Sequence, residues 1–248
     1  MIRNQKELLS EIIWSSNKLL IQKTRQCGCT TLLVNNILAM MHQKDLKVAF
    51  VVPNKRMIEE VLNKIRERSD VMKYGVKVDS NEGTPACYLS NGSKLELLYE
   101  GLSIRRFTGI FTPKFIVVDE ALLFNNLETT LKQLQIDINR DDTKVILAST
   151  PWETENNKEY IDLFKETDKY PLNTKWRLFK LKWFMNGCVV NFFKKVNGEF
   201  ITLSTKNIPL EEVINLINNG WFPSTSNVPT PPFEGKEYIK EILGEFCE

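Results

Sequence analysis

The segment Lys23-Thr24-Arg25-Gln26-Cys27-Gly28-Cys29-Thr30-Thr31 sets cations, a glycine and hydroxyls where an apolar run, Leu19-Leu20-Ile21, gives way to a long helical stretch. Against the phosphate-loop pattern G-x-x-x-x-G-K-[ST], Gly28 takes the second glycine and Thr30 the hydroxyl. Lys23 stands at the first glycine position and Cys29 at the lysine position. The pattern is broken, but the physical requirement can still be met. A phosphate needs backbone N–H groups pointing inward at a helix start, a hydroxyl for Mg²⁺ and a cation within reach. Gly28 lets the backbone approach, Thr30 opens the helix, and Lys23 or Arg25 can bring charge from the other side of the loop. The plain alternative is a strand-to-helix turn carrying exposed charges.

A second segment, Ile116-Val117-Val118-Asp119-Glu120, is an apolar strand ending in two acids. An aspartate at the carboxyl end of such a strand can hold the Mg²⁺ shell, and the glutamate beside it can orient and deprotonate an attacking water. Alone, it is equally a strand running into an acidic helix cap. Together the two segments, with a strand–helix unit between them, point to a site that hydrolyses a phosphate bond. A further strand ends Ala148-Ser149-Thr150-Pro151, putting Ser149 and Thr150 where a γ-phosphate could be sensed. Gln5, upstream of the loop, could reach an adenine edge or could simply be solvated.

The elements that must position these groups follow from hydrophobic period. Residues 5–16 and 31–41 have helical spacing, as does the charged stretch from Lys55 to Arg68. KVAFVVP, ending at Pro53, and the runs 115–118 and 144–148 are continuous apolar strands. Such strands separated by helices predict an α/β fold, a mostly parallel sheet with helices on both faces. The part between Val76 and Gly109 is less regular, and NGSKLELLY predicts a hairpin turn feeding an inserted β element.

After Pro151 the character changes. From Tyr170 to Ile208, Lys175, Arg177, Lys180, Lys182, Lys194, Lys195 and Lys206 alternate with Trp176, Phe179, Trp183, Phe184, Phe192, Phe193 and Phe200. A helix is expected over about 210–218, then a proline-rich stretch and a terminal helix ending near Gly244. The expected organisation is an ATPase-like core over 1–165 and a smaller basic, aromatic subdomain over 166–248. The block has two readings that can both hold: nucleic-acid contact, with Lys194 and Lys195 on phosphates, or core aromatics with a solvated lysine rim.

Composition narrows the classes. The chain has 248 residues, 42% hydrophobic and 26% charged, with a formal net charge of +2. This is globular composition, and attraction to nucleic acid must come from local patches. Five cysteines do not read as a disulfide framework, and no segment supplies the apolar run of a membrane span. The expectation is a soluble protein of a reducing compartment. Cys27 and Cys29 form a C-x-C without a partner pair at zinc spacing, although a helix N-terminus could make Cys29 reactive. His42, the single histidine, reads as a helix-end residue rather than a catalyst.

KTRQCGCTT, IVVDEA, LASTP and the closing LGEF resemble the ATPase half of phage terminase large subunits, the motors that package DNA into procapsids. The resemblance implies a P-loop NTPase fold of RecA/ASCE type, with ATP and Mg²⁺ as cofactors. In that family the loop is often irregular, with R-Q before the final glycine and, in some members, the lysine moved to the loop's first position. Lys23, Arg25 and Gln26 match that variant, and Thr24 and Cys27 through Thr31 complete the loop. Asp119 and Glu120 match the Mg²⁺ and catalytic-base pair, with Thr30 sharing the metal. Ser149 and Thr150 match the motif coupling hydrolysis to subdomain motion, and Gln5 matches the adenine-reading glutamine. Trp152, Glu153 and Tyr160 only approximate the segment that usually follows.

The implied partners are double-stranded DNA, the portal of a procapsid, a small terminase subunit and further copies in a ring, usually pentameric, with the isolated domain monomeric. The implied location is the cytoplasm of an infected bacterial host, transiently on the portal. Arg105 or Arg106 could reach a neighbouring subunit as an arginine finger, or both could be solvated. In the family LGEF leads into a nuclease domain, so a chain stopping at Glu248 is not expected to cut DNA. The competing readings are a fragment of a superfamily-two helicase, which needs a second α/β domain, and a non-hydrolysing nucleotide- or DNA-binding module. Cys29 favours the module, and Glu120 speaks against it.

Overall fold

The structure, a computed structural model, describes residues 5–24, 27–43, 45–72, 77–79, 85–102, 112–152, 154–182, 189–206 and 208–224. Its centre is an eight-stranded sheet. Six strands run parallel: β1 (Lys18–Lys23), β2 (Lys47–Val52), β5 (Lys94–Tyr99), β6 (Phe115–Asp119), β7 (Lys144–Ser149) and β8 (Arg177–Leu181). Two short strands, β3 (Lys77–Asp79) and β4 (Ala86–Tyr88), add antiparallel at one edge, giving the order β3-β4-β5-β2-β6-β7-β1-β8. β7 is thus interposed between the strand that feeds the glycine loop and the strand that ends in Asp119.

Alternate residues of the central strands enter two separate cores, as side chains on opposite faces of a pleat must. Leu19, Ile21, Val48, Phe50, Phe115, Val117 and Ile146 lie on one face with α1 (Gln5–Ser15), α2 (Cys29–Gln43) and α3 (Lys55–Met72). Leu20, Ala49, Val51, Ile116, Val118, Val145 and Leu147 lie on the other with α4 (Leu127–Gln133) and α5 (Lys158–Lys169). Both faces being covered explains why these strands read as unbroken apolar runs. Among the described residues no helix is long and apolar enough to cross a membrane.

One sequence expectation is corrected. NGSKLELLY does make a hairpin turn, with Gly92 at φ +90°, but the strand it feeds, β5, lies inside the parallel part of the sheet beside β2. Its leucines 95, 97 and 98 are fully buried, so the segment is core rather than an insertion. The boundary at 165/166 falls within α5, and β8 pairs with β1 as the last strand of the large sheet. β8 escaped the pattern because it is an edge strand, where charged and apolar residues alternate.

What lies beyond the large sheet is a three-stranded antiparallel one. β9 (Val189–Val196) pairs with β10 (Glu199–Lys206) and β11 (Phe222–Ser224), and α6 (Leu210–Asn218) precedes β11. Phe192, Ile208 and Val213 of this part are buried in the same cluster as α1–α3. Trp176 is buried in the opposite core and Phe192 and Phe193 are buried, whereas Phe179 is half-buried and Phe200 exposed. Trp183, Phe184, the proline-rich stretch and the expected terminal helix lie outside the described residues.

Candidate active site

Parallel strands direct their carboxyl ends to one edge, where the register aligns the candidate residues. Gln22 of β1 pairs with Ser149 of β7, and Ala148 of β7 with Asp119 of β6. Lys23, Glu120 and Thr150 therefore stand at or just past neighbouring strand ends, the position at which ligands of open α/β sheets bind.

Thr30, in the first turn of α2, donates its Oγ1 hydrogen to Asp119 Oδ2 at 2.6 Å. Asp119 is fully buried, and its Oδ1 accepts from the backbone N–H of Glu120 at 3.1 Å. Lys23 Nζ donates to Glu120 Oε1 and lies 3.4 Å from Asp119 Oδ1. The other oxygen of Glu120 accepts from Thr150 N at 3.4 Å. One ammonium thus faces two carboxylates in an enclosed place. Burial alone would push the Lys23 ammonium down, but Asp119 and then Glu120 outweigh it and hold its pKa well above the ordinary lysine value.

Glu120 adopts left-handed backbone, φ 54° and ψ 44°, between β6 and a 3₁₀ turn at Ala121–Leu123. That conformation costs a non-glycine residue roughly 1–2 kcal/mol, and strain of this kind persists where surrounding bonds over-determine it. Lys23 and Thr150 supply two of those bonds. A third links Ser149, whose Oγ accepts from Leu122 N at 3.1 Å and donates to Thr150 O at 2.9 Å. The end of β7 is thereby tied to the turn that carries Glu120.

The donor set fits Mg²⁺. Among the described residues no three His, Cys, Asp or Glu side chains gather into a cage. A hydroxyl and one carboxylate converging on a point suit a small hard cation that keeps waters and takes its other oxygens from a nucleotide. The cluster also carries more negative than positive charge, Lys23 against Asp119 and Glu120.

Gly28 opens α2 at φ +77°, and its carbonyl accepts from Leu32 N at 3.1 Å as the first bond of the helix. Thr24 is buried, with its N–H on Leu181 O at 3.1 Å, while Thr31 is exposed. Cys27 and Cys29 are both buried and hydrogen-bonded to each other through their thiols. That bond, then burial, pushes the Cys29 thiol well up, against the expectation of a reactive thiolate at a helix start. Gln5 Oε1 accepts from Lys182 N at 3.2 Å, fixing the start of α1 to the end of β8. Arg25, Gln26, Arg105, Arg106 and Glu153 lie outside the described residues.

Lys194 and Lys195 are adjacent on β9 and so point to opposite faces of the ribbon. Lys194 Nζ donates to Asn219 O at 2.8 Å, and Lys195 Nζ stands 5.9 Å from the Phe200 ring centroid. Their ammonium groups therefore do not share one face of the ribbon.

Two supporting residues carry no signal in the chain's pattern. Asn157 is buried, accepting from Leu127 N at 3.0 Å and donating to Phe124 O at 2.6 Å, and so braces the segment after Glu120. Glu100 accepts from the backbone N–H groups of Asn125 and Asn126, each at 3.0 Å. In sequence both look like ordinary polar residues near element ends.

The family described as terminase large subunit, T4likevirus-type, N-terminal, matches residues 20–195. No curated protein matches the chain. Among solved structures, the large terminase ATPase domain of Thermus phage P74-26 is 12% identical with a TM-score of 0.57, over 100% of this chain and 95% of that one. The large terminase of a thermophilic bacteriophage, in complex with ADP, is 13% identical with a TM-score of 0.59, over 98% of this chain and 53% of that one. The HK97 bacteriophage large terminase is 13% identical with a TM-score of 0.55, over 72% and 38%. The chain spans about half the length of the ADP-bound relative, 53%. At such identities these likenesses show the shared P-loop NTPase-like fold. The family match, running from β1 through the acidic strand and into β9, reaches further: the chain belongs to the terminase large-subunit family, in its N-terminal region.

Proposed function

We propose that this chain is the ATP-hydrolysing motor domain of a viral terminase large subunit, acting on double-stranded DNA during its translocation into a procapsid. The observation that carries this reading is the convergence of Thr30, Asp119, Glu120 and Lys23 at the carboxyl ends of β1 and β6. Binding alone needs no base, and a glutamate held in strained backbone beside a metal-type aspartate suits water activation. When bound with ATP, Mg²⁺ neutralises phosphate charge; Thr30 and Asp119 are the residues that would hold it.

The chain's own groups then divide the work. Gly28 brings the loop backbone near the phosphates, with Arg25, Gln26 and the rest of the loop, Thr24 and Cys27 through Thr31, around it. Lys23, now on the two carboxylates, gains a competing anion when the triphosphate arrives, and moving toward it frees Glu120 to take a proton from water. Thr150, hydrogen-bonded to Glu120, and Ser149, bonded to the following turn, carry the change to the neighbouring elements. Gln5 reads the adenine, and Arg105 or Arg106 serves a neighbouring subunit. The portal, a small terminase subunit, a pentameric ring with the isolated domain monomeric, and a place in the host cytoplasm and on the procapsid belong to the same proposal and rest on family membership.

The test is Mg²⁺-dependent phosphate release at high protein concentration, with Glu120→Gln as the paired control. Release is expected to fall about 10²–10⁴-fold in the variant while ATP binding persists. Equal release from both proteins would remove Glu120 as the base. Binding without turnover in the parent chain would favour the non-hydrolysing module, for which Cys29 at the lysine position is the specific observation. Absence of binding would sink the site.

A further inference from the structure

The loop's lysine position is held by Cys29, whose thiol is buried against Cys27 and brings no cation to a phosphate. Lys23, the candidate replacement, is 5% exposed and engaged with Asp119 and Glu120. Among the described residues a second ammonium stands beside the loop. An ideal Cβ placed on Gly28 would lie 3.2 Å from Lys6 Nζ and 3.8 Å from Lys6 Cε. Gly28 is exposed and at φ +77°, so its missing side chain both permits the backbone turn and leaves the space that Lys6 enters.

Lys6 reaches this point because α1 is docked, not because a loose tail passes by. Leu9, Ile12 and Ile13 of α1 are buried on the face shared with α2. Trp14 Nε1 donates to Asn36 Oδ1 of α2 at 3.0 Å, and Asn36 Nδ2 donates to Ser10 Oγ at 3.1 Å. Ser10 Oγ in turn donates to the Lys6 backbone carbonyl at 2.9 Å. Gln5, next to Lys6, accepts from the Lys182 backbone. The turn of helix carrying Lys6 is thus fixed from both sides.

Resting on the nucleotide reading above, we infer that Lys6 is a phosphate-binding residue, delivering from α1 the ammonium that the loop lacks at Cys29. A point charge beside the loop glycine, at the start of a fifteen-residue helix, adds to the field that backbone N–H groups already present to an anion. Its recognition target is the polyphosphate, not the base or the sugar.

The test compares ATP, ADP and adenosine binding to the parent chain, Lys6→Ala and Lys6→Arg by calorimetric titration, with ligand-induced shifts in Tm for the weakest ligand. Lys6→Ala is expected to weaken ATP about 10–100-fold, the range of a charge-assisted hydrogen bond, and ADP less. Adenosine should stay within about twofold and Lys6→Arg should recover most of the loss. ATP affinity within about threefold of the parent in Lys6→Ala would overturn the inference. So would an equal loss for adenosine and ATP, which would make Lys6 a structural prop. A parent chain that binds no ATP fails the nucleotide reading itself, a pattern distinct from a parent that binds while Lys6→Ala binds as well.

Discussion

β1 begins on Lys18 and ends on Lys23, and both residues are 5% exposed. The protein treats them in opposite ways. Lys18 Nζ donates to the carbonyls of Ile138 at 2.6 Å and Arg140 at 2.7 Å, partners without formal charge. Burial, with Lys175 adding repulsion, pulls its pKa below the ordinary lysine value. Lys23 meets two carboxylates, and its pKa rises although burial opposes it. One end of the strand spends a lysine on tying down a loop; the other sets a lysine in a charge cluster that needs an incoming ligand to rearrange. A buried lysine is informative about chemistry only through the kind of partner it meets.

The largest effect expected from this contrast is at Lys23. Lys23→Met keeps the aliphatic stem and leaves Asp119 and Glu120 without their cation. Removing one partner of a buried ion pair costs about 3–5 kcal/mol. Urea denaturation should show a loss of that order, and ATP affinity should fall more than about 100-fold if the ammonium also serves the phosphates, since each tenfold is about 1.4 kcal/mol. Unchanged ATP affinity would remove Lys23 as the relocated cation and leave it a purely structural clamp on Glu120.

Lys18→Met is the matched control. It deletes two charge-assisted bonds but also relieves a desolvated ammonium, so a net loss of about 1–2 kcal/mol is expected. Nucleotide affinity should stay within about twofold, because Lys18 lies at the opposite end of β1 from Gly28. A loss of ATP binding equal to that of Lys23→Met would break the contrast between the strand's two ends.

The same comparison shows which parts of the molecule can be read from its sequence. Strands β2, β6 and β7 announce themselves because helices cover both their faces. Thr30 and Asp119 are legible because a loop before a helix and an acid after an apolar strand imply a shared cation, and their 2.6 Å hydrogen bond brings them together. β8 is not legible, since an edge strand carrying Arg177 and Lys180 looks like surface. Nor are the partners of Lys18 and Lys23, which sit far along the chain and are chosen by sheet order. Lys6 is hidden for a further reason: its place beside Gly28 depends on Asn36 docking one helix on another, a contact that leaves no period in the sequence.

Alkaline titration sharpens the contrast through sign. Lys18 has a depressed pKa in the fold, so between that value and the unfolded value of 10.5 the unfolded chain binds more protons and stability rises with pH through Lys18. Lys23 has a raised pKa, so its contribution is fully present below 10.5 and is lost as pH rises from there through the folded value. Denaturation across this alkaline range should therefore lose the rising component in Lys18→Met and the falling component in Lys23→Met. Identical pH slopes for both variants would contradict the assignment of opposite partners.

The smallest expected effect carries the distinction to β9. Lys194 resembles Lys18 in spending its ammonium on a backbone carbonyl, that of Asn219, and it is half-buried. Lys195, one residue on, is exposed on the face that also holds Phe200. If this ribbon touches DNA, only the exposed lysine has its charge available to a phosphate. Lys195→Ala should then lower the slope of log affinity against log salt by about 1, with equal loss across sequences, as expected for one phosphate contact. Lys194→Ala should leave that slope unchanged. Equal slopes in the parent chain and both variants would place the DNA track elsewhere. A change confined to Lys194→Ala would mean that its bond to Asn219 opens on binding, and that partner chemistry in the free protein does not govern which lysines are used.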